Sequence, residues 1–112
     1  MEGFEATARA EGSTAVVDMA GLLDRSASAA LDAAFSEALG LSAGPVVFNF
    51  GDVGYINSTG IAIVVGALAR ARAEGRDVRA YGLTEHYREI FSITRLSDFM
   101  GIYDDETTAV AG

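Results

Sequence analysis

The chain has no cysteine, no tryptophan and no lysine, and it carries one histidine and one proline among 112 residues. Without cysteine there can be no disulfide, no thiol nucleophile and no Cys-type zinc site. His86 alone cannot build a multi-histidine metal site. A Ser–His–acid triad would have to use it, and no G-x-S-x-G turn is present to offer the serine. It sits in "TEHYREIF", an amphipathic stretch, and reads as an exposed helix residue. Neither the phosphate-binding G-x-x-x-x-G-K pattern nor a dinucleotide glycine fingerprint occurs, and Gly51, Gly54 and Gly60 read as turn glycines. The expectation is a protein that is not an enzyme and uses neither metal nor cofactor.

Long hydrophobic runs are also missing. The longest, Ile61 to Ala69, is about half of what a membrane-spanning helix needs. The opening "MEGFEATARAEG" shows no basic start followed by an apolar stretch, so no secretory leader is expected. Positive charge is scarce: eight basic residues, all arginine, stand against sixteen acids, for a net charge of −8. Phosphates would be repelled by such a surface, which disfavours nucleic acid. Residues 1–56 hold eight acids and two arginines; residues 57–112 hold eight acids and six arginines. A basic face, if any, is expected around Arg70, Arg72, Arg76 and Arg79. These absences together predict a cytoplasmic protein that meets neither membrane nor nucleic acid.

What is present suits a globular domain. Half of the residues are hydrophobic and 21% are charged. At this length one domain over 1–112 is expected, large enough to bury roughly two thirds of its unfolded surface. Phe4 to Ala10 alternates as a half-buried strand does, "EGS" at 11–13 reads as a turn, and "TAVVDMAGLL" at 14–23 as the antiparallel partner. Asp24 or Ser26 can cap a helix that carries Leu31, Ala34, Phe35 and Leu39 and stops at Gly40. After Pro45, the run Val46–Val47–Phe48 predicts a central strand covered on both faces. The loop "GDVGYI" then leads to a helix over about Ser58–Glu74, ended by Gly75. A strand at 77–83, a shorter helix from Thr84, a last strand in 100–105 and a tail able to form a helical turn complete the chain. Asp104, Asp105 and Glu106 read as a solvated terminal run. The order β-β-α-β-α-β-α-β predicts an α/β fold, a mixed four- or five-stranded sheet with helices packed on it.

The second helix is unusual. Ile61, Val64, Val65, Leu68 and Ala69 form a stripe expected to face the sheet. Ala62, Ile63, Gly66 and Ala67 on the other side are small or apolar too, so either another element or a partner covers them. Adjacent hydroxyls, Ser58 and Thr59, stand at its entrance. Two readings are open. They serve as ordinary N-caps, which stabilise a helix by about 1 kcal/mol. Alternatively one is a modification site, because a helix N-terminus tolerates an added phosphate and its roughly −1.5 to −2 charge.

The segment from "VVFNFGDVGYINSTGIAIVVGALARARAEG" through "IFSITRLSDFMGIYDD" resembles a STAS domain of the anti-sigma factor antagonist type, over nearly the whole chain. The match is densest at Asp52, Tyr55, Ile56, Asn57, Ser58, Thr59 and Gly60, and "GLLD" places Asp24 beside that loop. The resemblance implies a STAS fold and a partner-switching role in transcription regulation. The unmodified protein binds an anti-sigma factor with an ATP-binding kinase fold, the kinase phosphorylates Ser58, and a PP2C-type phosphatase reverses this. The implied partner surface comprises Asp24, Asp52, Asn57, Ser58, Thr59, Gly60, Ile63 and Ala67. One position departs from the family pattern: the usual Asp before the serine is Asn57. The alternative reading is a STAS module without a phosphoswitch, an interaction subunit of a signalling or transport assembly.

Overall fold

The structure is a computed structural model that describes residues 3–112; Met1 and Glu2, which begin the stretch read for a leader, lie outside the described residues. Strands β1 (Phe4–Glu11) and β2 (Thr14–Leu23) form the expected hairpin, turning at Gly12 with φ +63°. A 3₁₀ turn, Arg25–Ala27, enters helix α1 (Ser28–Leu41). Then follow β3 (Val46–Ile56), α2 (Ser58–Ala73), β4 (Val78–Tyr81), α3 (Glu85–Ile93), a 3₁₀ turn at Leu96–Asp98, β5 (Gly101–Tyr103) and α4 (Glu106–Ala111). The sheet order is β1-β2-β3-β4-β5, with β1 antiparallel to β2 and every other pair parallel. This is the α/β architecture expected, with the larger of the two strand counts.

Strand alternation divides the core in two. Ala15, Val17 and Met19 of β2, Val46, Phe48 and Phe50 of β3, and Val78 and Ala80 of β4 point to the side covered by α1, α2 and α3. Phe35, Phe48, Phe50 and Phe91 run through that layer as contacting rings, with centroids 5.6, 6.1 and 5.7 Å apart. Pairs of this kind add about 0.5–1.5 kcal/mol each beyond their buried area. Val16, Val47 and Tyr81 point the other way, beneath Ala109 and Val110 of α4. Val47 and Phe48 are thus both fully buried, on opposite faces, as a central strand requires.

The face beneath α4 also holds a polar network that the sequence did not disclose. The Arg9 guanidinium donates to Asp18 (2.6 Å) and to both Glu106 oxygens (2.6 and 3.0 Å); the Tyr81 hydroxyl donates to Glu106 (2.8 Å) and the Asn49 amide to Asp18 (2.8 Å). The Arg9 guanidinium holds the Glu106 and Asp18 carboxyls below their usual range. Burial, followed by the Glu106 bond, pushes the Tyr81 phenol up. The expected solvated run at 104–106 is therefore corrected at Glu106. Asp105 caps α4 by accepting from the Thr108 amide (2.9 Å), and Glu106 anchors the helix to the sheet. Asp104, paired with Arg88, and Asp105 are both exposed, as anticipated.

Three further expectations change. β3 does not end before "GDVGYI" but runs on to Ile56, because Val53 and Ile56 turn inward and β2 continues alongside to Leu23. Two register shifts absorb the extra residues, and the Asn49 side chain holds the first by accepting from the Gly51 amide (2.9 Å). The inward stripe of α2 is Gly60, Val64, Ala67, Leu68 and Ala71; Val65 and Ala69 face outward. Nor do the four central arginines form one basic face. Arg70 reaches α1, Arg76 binds the carbonyls of Leu39, Ser42 and Gly44, and Arg79 binds those of Ala109 and Val110. Arginine at the last carbonyls of a helix both satisfies them and suits the negative end of its dipole.

Candidate functional site

The candidate site is built where β2 and β3 end side by side and α2 begins. The Leu23 carbonyl accepts from the Asn57 amide (3.3 Å), which joins the two strand ends. Gly60 lies directly against that carbonyl. A Cβ at this position would collide with the Leu23 oxygen, so only glycine lets α2 start this close to β2. Asn57 is extended (φ −100°, ψ −176°) and its side-chain oxygen accepts from the Gly60 amide at 2.8 Å. It is the N-cap. From the far side, the Ile56 amide donates to the Tyr87 hydroxyl of α3 (3.0 Å), fixing the residue that precedes the cap.

Asn57 takes the capping place that the sequence offered to the two hydroxyls. Ser58 and Thr59 are both exposed residues of the first helical turn, and neither hydroxyl makes a hydrogen bond among the described residues. The capping reading of Ser58 and Thr59 is thus corrected: the amide oxygen of Asn57 takes that place with one residue's offset. No acidic residue lies in the first turn of α2. The positive end of the helix dipole therefore stands open to solvent beside two free hydroxyls.

Asp24 sits at the neighbouring strand end and caps the 3₁₀ turn, accepting from the Ser26 amide (2.9 Å) and hydroxyl (2.6 Å). These two bonds, the hydroxyl first, hold its carboxyl below the usual range. Between α1 and α2 runs a groove of about 680 Å³, with Arg25 and Thr59 at one end and Ala29, Ala62 and Gly66 along it. Arg70 closes the other end, bonded to Asp32 (2.6 Å) and Ser36 (2.9 Å) and lying 5.4 Å from the Phe35 ring.

Of the residues expected at a partner surface, Asp24, Asn57, Ser58, Thr59 and Gly60 gather at this end of the sheet. Ile63 and Ala67 continue along the groove. Ala67 is buried and offers the groove only an edge, and Ile63 is half-buried against the core; Ala62 and Gly66 are the exposed positions. Asp52 stands apart. It pairs with Ala20 on the bulged part of β3, four residues before Ile56, and is not among the groove residues. Sequence reasoning missed Tyr87 and Arg25, and placed Arg70 in a basic face rather than at this groove. No local pattern marks a tyrosine whose partner is a backbone amide 31 positions away. Arg70 could have been found, as the first charge after the apolar run.

The arrangement is a small α/β domain with the exposed hydroxyls of Ser58 and Thr59 at the start of α2, Thr59 at the end of the groove. The chain belongs to the STAS-domain family: the family model described as "Mlab, STAS domain" matches residues 6–102. No curated protein matches the chain by sequence. Among solved structures it is similar to the anti-sigma factor antagonist SpoIIAA of Bacillus. Identity is 19% to the unphosphorylated form, over 97% of this chain and 94% of that one, with a TM-score of 0.71. For the phosphorylated form the values are 22%, 97%, 97% and 0.69. An anti-sigma factor antagonist from Mycobacterium paratuberculosis is 20% identical, over 97% of this chain and 92% of that one, with a TM-score of 0.75. The murine anion transporter Slc26a9 is 9% identical over 99% of this chain and 22% of that one, with a TM-score of 0.78. At these identities the likeness is one of fold. No helix of the described residues is long and apolar enough to cross a membrane.

Proposed function

We propose that the chain is an anti-sigma factor antagonist. It binds an anti-sigma factor of ATP-binding kinase fold through the surface at Asp24, Asn57–Gly60 and the α1/α2 groove, and phosphorylation of Ser58 ends that binding. A PP2C-type phosphatase restores the binding form. On this reading the protein works in the cytoplasm and catalyses nothing itself. The observation that carries the proposal is the cap. Because the Asn57 side chain binds the Gly60 amide at 2.8 Å, the Ser58 hydroxyl is free for modification and its loss would cost the helix nothing.

The physics of the switch follows from the place. A phosphate on Ser58 would sit at the positive end of α2, which favours it by roughly 0.3–1 kcal/mol, so the fold persists. A partner seated on the groove would meet a dianion that must shed its water. Burying such a charge without a partner costs several kcal/mol, enough to abolish a micromolar complex. Asn57, where the family pattern has Asp, keeps the cap and removes one negative charge from the neighbourhood of that phosphate.

A second reading has its own support. The matching family model carries the name Mlab, a fold of this kind lies within an anion transporter, and the usual acid is absent at Asn57. On that reading the same surface holds a permanent partner and Ser58 is never modified. Incubation with ATP and an anti-sigma factor kinase separates the two. Mass spectrometry should find one phosphoryl group, on Ser58. A phosphate on Thr59, or none where the kinase modifies a control antagonist, contradicts the switch and favours the permanent subunit.

A further inference from the structure

Helix α2 has a second flank. Val65, Leu68, Ala69 and Arg72, at helical spacing, line a groove of about 640 Å³ whose far wall is the segment between α3 and β5, with Arg95, Leu96 and Phe99. It is a different flank from the α1/α2 groove, which uses Thr59, Ala62, Ile63, Gly66 and Arg70. Two features set it apart. Large apolar side chains are left in water: Val65 is 45% exposed and Phe99 57%, and Ile93, at the adjoining end of α3, is more exposed still. Single exposed apolar residues are ordinary, whereas several around one groove mark a contact surface.

The charge of the groove is the reverse of the chain's. In a molecule of net −8, its rim carries Arg72 and Arg95. Asp98 pairs with Arg95 at 3.0 Å and Asp77 with Arg79 at 3.0 Å, so both acids of the groove are engaged. The Arg76 guanidinium is turned away onto the carbonyls that follow α1. Arg72 has no carboxylate partner among the described residues; its guanidinium lies 5.5 Å from the Phe99 ring centre and is stacked there, held out toward the groove. The wall itself is built by an uncommon conformation. Arg95, with φ 67°, is the only non-glycine residue of left-handed backbone among those described, and it turns the chain into the 3₁₀ turn that ends at Phe99.

We propose that this flank docks a polypeptide segment of a second partner, one that places a large apolar side chain between Val65 and Phe99 and a carboxylate on Arg72. The groove is partly open to solvent, so side chains carried on a backbone can enter it. An acidic segment, repelled by most of this surface, finds at Arg72 a cation with no carboxylate partner among the described residues.

The test uses the full chain and a phage-displayed library of random dodecapeptides, with counter-selection on the Arg72→Glu variant, an exposed change that leaves the core untouched. Enriched peptides should combine Asp or Glu with an aromatic or aliphatic residue. Measured by fluorescence anisotropy, their Kd should rise roughly tenfold or more in Arg72→Glu and in Phe99→Ala, and stay unchanged in Arg25→Glu, which alters the other groove. No enrichment, enrichment of peptides lacking an acid, or binding indifferent to both variants overturns the proposal. Loss of binding in Arg25→Glu also overturns it, by moving the site to the other groove. Sedimentation velocity supplies the remaining outcome: a dimer that Phe99→Ala dissociates assigns the groove to a second copy of the chain instead.

Discussion

On one face of the sheet, Phe35, Phe48, Phe50 and Phe91 stack and tilt against one another beneath three helices, and every one of them is buried. On the other face, one helix of six residues is fastened by Arg9, Glu106, Tyr81 and Arg79 through charged hydrogen bonds of 2.6–3.2 Å. The first face is held by area and packing, which do not respond to pH. The second is held by groups whose charge does. Ser58 lies at the rim of the first face and belongs to neither mechanism. That position is what allows a charge to be added there at little cost to the fold.

The largest expected effect breaks the first face. Phe48 touches the rings on both sides, so Phe48→Ala should lower unfolding free energy by about 3–5 kcal/mol. Leu68→Ala, in the corrected stripe of α2, should cost about 2–5 kcal/mol. Both are read from urea denaturation, and a loss under 1 kcal/mol in either would deny that this face is the main core. The network beneath α4 should give less. Hydrogen bonds to charged groups are worth about 1.5–3 kcal/mol, but the Glu106 side chain is roughly a third exposed, so Glu106→Gln should cost about 1 kcal/mol.

That loss should also depend on pH, which sharpens the contrast. The carboxyls of Asp18 and Glu106 titrate below their usual range in the folded protein. Their contribution is therefore complete above the ordinary carboxylate pKa of about 4 and fades as pH falls through the lower folded values. The difference between Glu106→Gln and the parent should shrink from pH 7 toward pH 3, while that of Phe48→Ala should hold. A Glu106→Gln difference that grows on acidification would contradict the network. The smallest effect concerns the cap: Asn57→Ala should cost about 1 kcal/mol, and Asn57→Asp, which restores both cap and family charge, almost nothing.

The face packed by area was the legible one. Alternation in β1 and β2, the apolar run of β3 and the spacing in α1 pointed to the right elements, because burial on a regular element leaves a period in the sequence. The resemblance placed the site at Ser58, but its local geometry lay beyond the pattern. Asn57 rather than a hydroxyl caps α2, and the two bulges that carry β3 on to Ile56 have no signature except glycine. The polar face was illegible for a plain reason. Arg9 and Glu106 are 97 positions apart, and nothing near either residue announces the other. The same holds for Val65: a helix apolar on all sides does not say which stripe the sheet will take.

A charge at Ser58 should change binding and spare the fold, and one comparison tests both halves together. Ser58→Asp and the parent protein are melted by circular dichroism and titrated calorimetrically with the anti-sigma factor. The melting temperatures should agree within about 2 °C, since the exposed carboxylate meets the open end of the helix dipole. The affinity should fall by roughly tenfold or more, while Ser58→Ala binds as the parent does. Equal affinities for parent and Ser58→Asp, or a melting temperature lowered by about 10 °C or more, would contradict it.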